Sequence, residues 1–289
     1  MAAARRMNRI SSALSALILF GALGCASSNK QAHDATPIAG HISPASGTQV
    51  VDFKVGGQQR SAILVVPHER SKPLPLVFAF HGHGDTASHF ENRTAVEKLW
   101  PAALVVYPNG VPGHRGITDA DPTKTGWQVS PGESGDSDLA FFDAMLETLE
   151  GSFTVDRNRI YAMGHSNGSA FVSLLLNQRG RAIAATANLS AHPPPELIAS
   201  DPVRSMFLSM GQHDPLVLRW HHDSRVPLVE KKLGVDRAHA KVDGDLRQEY
   251  APNNIELATY IYDGGHYPPP PEALELAVKF FQRHSLADG

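Results

Sequence analysis

The sequence predicts an α/β protein with a mostly parallel central sheet and helices on both of its faces. Continuous apolar runs of strand length recur, such as LPLVFAF at residues 74–80, and such runs are typical of strands buried on both faces. Helix-forming segments lie between them, and alternating strands and helices favour parallel pairing. With 289 residues, of which 42% are hydrophobic and 19% charged, the chain is long enough to bury one large core.

The first 24 residues are predicted to be a secretory signal. The segment MAAARRMNR is positively charged, ISSALSALILFGALG is apolar, and small residues follow, which is the layout of an export signal. Cys25 is the one cysteine in the chain and directly follows Gly24. The segment ALGC resembles the lipidation box of bacterial lipoproteins, in which the cysteine carries the lipid. We therefore expect an exported protein, with a lipid anchor at Cys25 or with plain secretion as the alternative.

Residues 25–48 are expected to form a tether, because they are polar, small and proline-bearing. The folded domain is expected to occupy residues 49–289, since no internal repeat or second linker interrupts them. A formal charge of -3 argues against nucleic-acid partners. Contact with a membrane is expected only through the N-terminal lipid, and the sequence gives no indication of oligomeric state.

The elements are predicted in the following order. An antiparallel hairpin comes first, from VVDFKV and SAILVVP on either side of the turn GGQQ. Buried strands follow in LPLVFAF, AALVVYP, RIYAMG, IAATANLS, SMFLSMG and ELATYIYDG. Helices are predicted in SHFENRTAVEKLW, DSDLAFFDAMLETLEGSF, GSAFVSLLLNQR and PEALELAVKFFQRHS. An antiparallel pair ahead of a parallel sheet is consistent with an α/β-hydrolase arrangement.

A lone serine lies between two glycines in Gly164-His165-Ser166-Asn167-Gly168, after a predicted strand and before a predicted helix. A nucleophile elbow of the form GxSxG requires this context, because it raises the serine above the sheet at a helix N-terminus. The Asn167 amide and the positive end of the helix dipole could there stabilise an oxyanion. The bare pattern also arises by accident, so a tight turn with an N-capping Ser166 is the alternative interpretation.

A serine nucleophile needs a base, and the base needs an acid that fixes its tautomer. Asp214 follows a predicted strand in GQHDPLV, and His266 follows the last predicted strand in DGGHYPPPP. Both are expected at the carboxyl ends of strands, where open α/β sheets place their sites. The simpler interpretations are an ordinary turn aspartate and an exposed loop histidine. The rival acids are Asp201, Asp223 and Asp263.

The segment HGHGD at residues 81–85 directly follows the predicted strand LPLVFAF. Its glycines allow a main-chain amide to point at a substrate oxygen, and the His83 amide is predicted to be the second oxyanion donor. His81 and His83 could instead form a metal pair, but such a pair needs a third ligand and the sequence offers no clear one. No metal is therefore expected.

The segments HGHGD, DSDLAFFDAMLETLEGSFTVDRNRIYAMGHSNGSA, GQHDPLV and GGHYP together resemble the polyhydroxybutyrate-depolymerase and feruloyl-esterase type of α/β-hydrolase. The resemblance covers residues 50–284 and implies a role for each of five positions: the nucleophile Ser166, the acid Asp214, the base His266 and the oxyanion donors His83 and Asn167. It also implies that Trp127, in TGWQVSP, lines the substrate site, although a core or surface tryptophan is an equally good interpretation.

The resulting expectation is a serine carboxylic-ester hydrolase that works through an acyl-enzyme and needs no cofactor. Because no separate polymer-binding domain is evident, soluble acyl, acetyl or feruloyl esters of small molecules or oligosaccharides are expected as substrates. Two alternatives stay open. A peptidase or thioesterase can use the same scaffold, and a non-catalytic surface lipoprotein could use the same cleft to bind glycan.

Overall fold

The computed structural model describes residues 42–113, 121–198 and 201–288. The predicted signal, Cys25 and most of the predicted tether lie outside these residues. The strands are β1 (Gly47–Val55), β2 (Gln58–Val66), β3 (Leu74–Phe80), β4 (Leu104–Pro108), β5 (Val111–Pro112), β6 (Thr125–Gly126), β7 (Val155–His165), β8 (Ala185–Leu189), β9 (Ser205–Gly211), β10 (Lys241–Asp243), β11 (Leu246–Tyr250) and β12 (Glu256–Tyr262). The helices are α1 (Ala87–Thr94), α2 (Val96–Leu99), α3 (Ser137–Ser152), α4 (Asn167–Arg179), α5 (Pro195–Ile198), α6 (Arg219–Leu233) and α7 (Pro271–Gln282).

Ten of these strands form one sheet in the order β1-β2-β4-β3-β7-β8-β9-β12-β11-β10. The central strands from β4 to β12 pair in parallel, whereas β1 and β2 at one edge and β11 and β10 at the other are antiparallel. The prediction of a mostly parallel sheet behind an antiparallel hairpin is confirmed. Because β7, β8, β9 and β12 are neighbours, their carboxyl ends meet at one edge.

The strand β3 shows why the central strands are apolar at every position. Its alternate side chains point to opposite faces of the sheet. Leu76, Phe78 and Phe80 join a core built with α3 and α4. Val77 and Ala79 join a second core built with α1 and α7. Full burial of one such large apolar side chain contributes roughly 1.5–3 kcal/mol, so helices are required on both faces.

The helix α6 was not predicted from the sequence, because Pro227 lies inside it. A proline in a helix interior removes one backbone hydrogen bond and ordinarily marks a helix end. The helix nevertheless buries Val226, Val229 and Leu233 against β9 and β12 in a third core. Packing of this apolar face compensates for the unfavourable proline.

Two boundaries also differ from the prediction. The predicted helix at residues 88–100 is divided into α1 and α2 at Ala95, whose φ of 41° is left-handed. The fold also begins before residue 49, since Ile42 packs on the first core and the Gln49 amide bonds to Ser43. Among the described residues, no helix combines the length and the apolar character that a membrane crossing requires.

Candidate active site

Ser166 lies at the corner where β7 ends and α4 begins. Its backbone adopts φ 53° and ψ -115°, a conformation that a residue with a side chain seldom adopts and that is found at functional sites. Two hydrogen bonds fix this corner: the Ser166 amide donates to Leu189 O at 2.9 Å, and the Ala170 amide donates to Ser166 O at 3.1 Å. The neighbouring strand and the first turn of the helix therefore hold the serine backbone in place.

The two elbow glycines allow the strand, the corner and the helix to approach each other. A β-carbon on Gly164 would lie 2.4 Å from the main chain of Gly168, and one on Gly168 would lie 2.3 Å from Phe80 O. Side chains cannot be accommodated at these distances, and the close atoms belong to the backbone. Glycine at both positions is thus a steric requirement of this corner.

Ser166, His266 and Asp214 form a continuous hydrogen-bonded series at the carboxyl edge of the sheet. The Ser166 Oγ lies 2.8 Å from His266 Nε2, and His266 Nδ1 lies 2.7 Å from Asp214 Oδ2. The Asp214 side chain is 0% exposed and that of His266 is 14% exposed. With Nδ1–H donating to the carboxylate, Nε2 is positioned to accept the proton of the serine hydroxyl.

Asp214 is held as a carboxylate by its own loop. Its Oδ1 accepts the amides of Leu216 and Val217, each at 2.8 Å. Burial by itself raises the pKa of Asp214, but the hydrogen bonds from His266 and from these amides outweigh it, so the pKa lies below the ordinary aspartate value. An ionised carboxylate at this point accepts the Nδ1–H of the imidazole and fixes the orientation of the ring.

The three rival acids lie in exposed ion pairs that do not involve His266: Asp201 with Lys232, Asp223 with Arg219, and Asp263 with His213. Of the candidate acids, the structure thus places Asp214 next to His266.

His165, which the sequence analysis did not single out, supports the loop that carries His266. This side chain is buried, and its Nε2–H donates to the main-chain oxygen of His266 at 2.8 Å. Burial, with a smaller effect of nearby His266, lowers the pKa of His165 to about 4. The imidazole is therefore neutral near pH 7 and serves as a fixed donor. The sequence signal that could have identified His165 is its position inside the elbow pattern, directly before Ser166.

The two predicted oxyanion donors belong to segments that lie next to Ser166. Asn167 is the first residue of α4, and the first amides of a helix have no intrahelical partner. Its side chain bonds the main chain of Trp127 twice, at 2.8 and 3.0 Å. His83 follows Gly82, on which an added β-carbon would lie 3.6 Å from the Ser166 β-carbon. The loop that carries His83 therefore runs directly beside the serine.

The position of Trp127 corrects the expectation that it lines the substrate site. Its side chain is 0% exposed, its Nε1–H donates to His81 O at 2.9 Å, and its ring stacks on Phe171. A side chain with no exposed surface offers nothing to a substrate. Trp127 instead contributes to the site indirectly, because its main chain hydrogen-bonds the side-chain amide of Asn167.

His81 uses both ring nitrogens inside the protein. Nδ1–H donates to Gly82 O at 2.7 Å, and Nε2 accepts the Gly110 amide at 2.9 Å. Burial lowers its pKa to about 4, so the ring is neutral. Within residues 42–113, 121–198 and 201–288, no cluster of at least three His, Cys, Asp or Glu side chains is arranged to hold a metal ion.

A cleft of about 520 Å³ opens at Ser166 and His266. Its walls combine apolar and polar side chains, as is typical of small-molecule sites. The apolar wall residues are Val129, Ala170, Ala191, Pro194, Leu216 and Val217, and the polar ones are Ser130, Asn167, His192, Glu196, His221 and Arg225.

No protein-family model matches the chain. The chain is 25% identical to feruloyl esterase C of Emericella nidulans over 260 residues, which is 80% of this chain and 86% of that protein. This alignment extends over most of both proteins.

Solved structures share the fold. A thermostable esterase superposes with a TM-score of 0.56 at 17% identity over 82% of this chain, which spans 63% of that structure. An acetyl xylan esterase from Aspergillus awamori superposes with a TM-score of 0.58 at 13% identity, over 81% of this chain and 99% of that one. These superpositions show the α/β-hydrolase fold. The sequence similarity to feruloyl esterase C indicates that the chain hydrolyses carboxylic esters. The chain is a carboxylic ester hydrolase with the α/β-hydrolase fold, and its sequence is similar to that of a feruloyl esterase.

Proposed function

We propose that the chain hydrolyses soluble acyl, acetyl or feruloyl esters of carbohydrate, with Ser166 as the nucleophile and a covalent acyl-enzyme as the intermediate. The main support is the hydrogen-bonded series from Ser166 through His266 to Asp214, with distances of 2.8 and 2.7 Å. The relatives named feruloyl esterase C and acetyl xylan esterase support this substrate class.

In the first half of the proposed reaction, His266 Nε2 takes the proton of Ser166 as Oγ attacks the ester carbonyl. Asp214 stabilises the resulting imidazolium through Nδ1–H. The main-chain amides of His83 and Asn167 donate to the tetrahedral oxyanion. The carbon–oxygen bond to the alcohol then breaks, and the alcohol leaves with the proton from His266.

In the second half, His266 removes a proton from water as the water oxygen attacks the acyl carbon. The bond to Ser166 Oγ breaks, the serine recovers its proton from His266, and the free acid leaves. Each proton taken up by the imidazole is returned within the same half-reaction. The cycle requires neither a metal nor an organic cofactor.

Comparison of wild-type protein with Ser166→Ala tests this proposal. The substrates are acetyl, butyryl and feruloyl esters of sugars, together with thioester, peptide and polyhydroxybutyrate-film samples. Removal of the nucleophile should lower ester turnover by several orders of magnitude, while circular dichroism and the melting temperature stay close to wild type. If the Ser166→Ala protein keeps most of its esterase activity, the nucleophile assignment is wrong.

A further inference from the structure

Three large apolar side chains are exposed between Asp214 and the first turn of α6. Leu216, Leu218 and Trp220 are 54%, 44% and 59% exposed. A single exposed apolar residue is ordinary, but a contiguous group next to a cleft marks an interaction surface. Leu216 itself lines the cleft at Ser166. The segment is therefore continuous with the candidate active site, and we refer to residues 216–220 as the rim.

Trp220 forms a flat platform at the end of the rim. Its ring stacks on His221 with centroids 3.8 Å apart and planes 27° apart, and His221 lines the cleft. Because one face contacts His221 and more than half of the side chain is exposed, the other face of the indole is open to solvent. Trp220 directly precedes His221 in the sequence, and His221 forms part of the cleft wall.

Charged groups of both signs line the same cleft as His221. Arg225, one helical turn after His221, lines the cleft and donates from Nη1 to His192 O at 3.1 Å. In the part of the chain that the structure describes, no carboxylate lies within ion-pair distance of Arg225. Glu196, which is exposed, lines the same cleft. A guanidinium and a carboxylate in one cleft suit a neutral ligand with several hydroxyl groups better than an anion.

We propose that Trp220 and Arg225 bind the sugar ring in the alcohol half of the ester, and that Trp220 sets the preference for esters of carbohydrate. A sugar ring has an apolar face of C–H groups and a border of hydroxyls. The open indole face matches the apolar face, and the guanidinium supplies donors for the hydroxyls. The inference rests on the proposed function, because it places the sugar next to the acyl group held at Ser166.

Fluorescence quenching tests sugar binding without catalysis. The chain has three tryptophans, and Trp127 and Trp100 are only 0% and 8% exposed, so acrylamide should quench mainly Trp220. A xylo-oligosaccharide without ester groups should protect this accessible fluorescence in the wild-type protein. Trp220→Leu should lose the accessible component. Wild-type quenching that is unchanged by the sugar would overturn the inference.

Kinetics with a matched pair of substrates test specificity. A feruloylated xylo- or arabino-oligosaccharide and methyl ferulate share the acyl group and differ in the alcohol. Trp220→Leu should raise KM about tenfold for the sugar ester and leave methyl ferulate unchanged. Trp220→Tyr, which keeps a flat aromatic face, should retain most of the wild-type KM. Val242→Ala, at an exposed apolar position on β10, serves as the matched control and should behave as wild type.

The outcomes separate the inference from the proposed function. Hydrolysis of both substrates with equal effects of Trp220→Leu on each overturns the sugar site and leaves the esterase proposal intact. A KM for the sugar ester that Trp220→Leu leaves at the wild-type value also overturns it, since leucine keeps the apolar surface without the flat face. If wild-type protein hydrolyses neither ester, the proposed function fails, and protection from quenching still decides whether the site binds sugar.

Discussion

The carboxylate of Asp214 lies at the end of the hydrogen-bonded series and orients the imidazole of His266. Asp214→Asn keeps the shape of this side chain but removes its charge. The amide can no longer stabilise the imidazolium, and it favours the wrong tautomer of His266. Turnover should therefore fall by about 10⁴, as it does when the same change is made in a serine protease with this arrangement.

Measurement of kcat on a soluble feruloyl or acetyl ester checks this expectation. Asp263→Asn is the matched control, because Asp263 is an exposed aspartate that pairs with His213, and it should keep wild-type turnover. Equal activities of the two variants would contradict the role proposed for Asp214.

The roles of individual tryptophans show where residue-scale prediction from sequence ends. Trp127 was expected at the substrate site, and Trp220 was not singled out. Trp127 is buried by Phe171 and by the main chain of His81, both distant from it in sequence. The residues next to a tryptophan in the sequence do not indicate whether its side chain is exposed. Ser166, His266 and Asp214 were recognisable as candidates because each follows a predicted strand.

The site depends on the close packing of β7, the elbow at Ser166 and α4. A β-carbon on Gly168 would lie 2.3 Å from Phe80 O, at the end of β3, and 2.5 Å from His81 O, directly after it. Gly168→Ala should therefore force the helix away from the strand. We expect a loss of stability of about 1–3 kcal/mol, together with a loss of turnover because Ser166 moves with the helix.

Urea denaturation and an ester assay on the same preparation measure both effects. Gly151→Ala is the control, because Gly151 lies in α3 and an added β-carbon there meets nothing within 4 Å. This change should stabilise the helix by roughly 0.5–1 kcal/mol and leave turnover unchanged. A Gly168→Ala protein as stable as wild type would refute the packing argument.

Strands that are buried on both faces were predictable from the sequence. A helix in which tertiary contacts must offset an unfavourable residue was not. The run LPLVFAF coincides with β3 because both faces of that strand meet helices. The helix α6 was missed because Pro227 is a local signal against a helix, and only contacts with β9 and β12 outweigh it. The division at Ala95 likewise depends on a backbone conformation that residue type did not indicate.

For the whole molecule, buried neutral histidines link stability to pH. Burial lowers the pKa of His81, His165 and His222 to about 4 and that of His192 to about 3. Because the pKa of unfolded histidine is about 6.5, the unfolded chain binds more protons between these values. The stabilisation is complete above about pH 6.5 and is lost as the pH falls toward about 4.

The free energy of unfolding in urea should accordingly be lower at pH 5 than at pH 7. Each pKa unit corresponds to about 1.4 kcal/mol, so even one of these histidines yields a difference of order 2 kcal/mol between pH 7 and pH 5. His68→Gln, at an exposed histidine, should leave this difference unchanged. Equal stability at the two pH values would show that these histidines are not held neutral by burial.

The proposed nucleophilicity of the Ser166 hydroxyl depends on His266 and Asp214, both distant from it in sequence. The most direct test is reaction of the folded protein with a fluorophosphonate, followed by mass spectrometry of the peptides. We expect one adduct, on Ser166, that is lost in His266→Ala and in urea-unfolded protein. Folded wild-type protein that remains unmodified at Ser166 would contradict the claim.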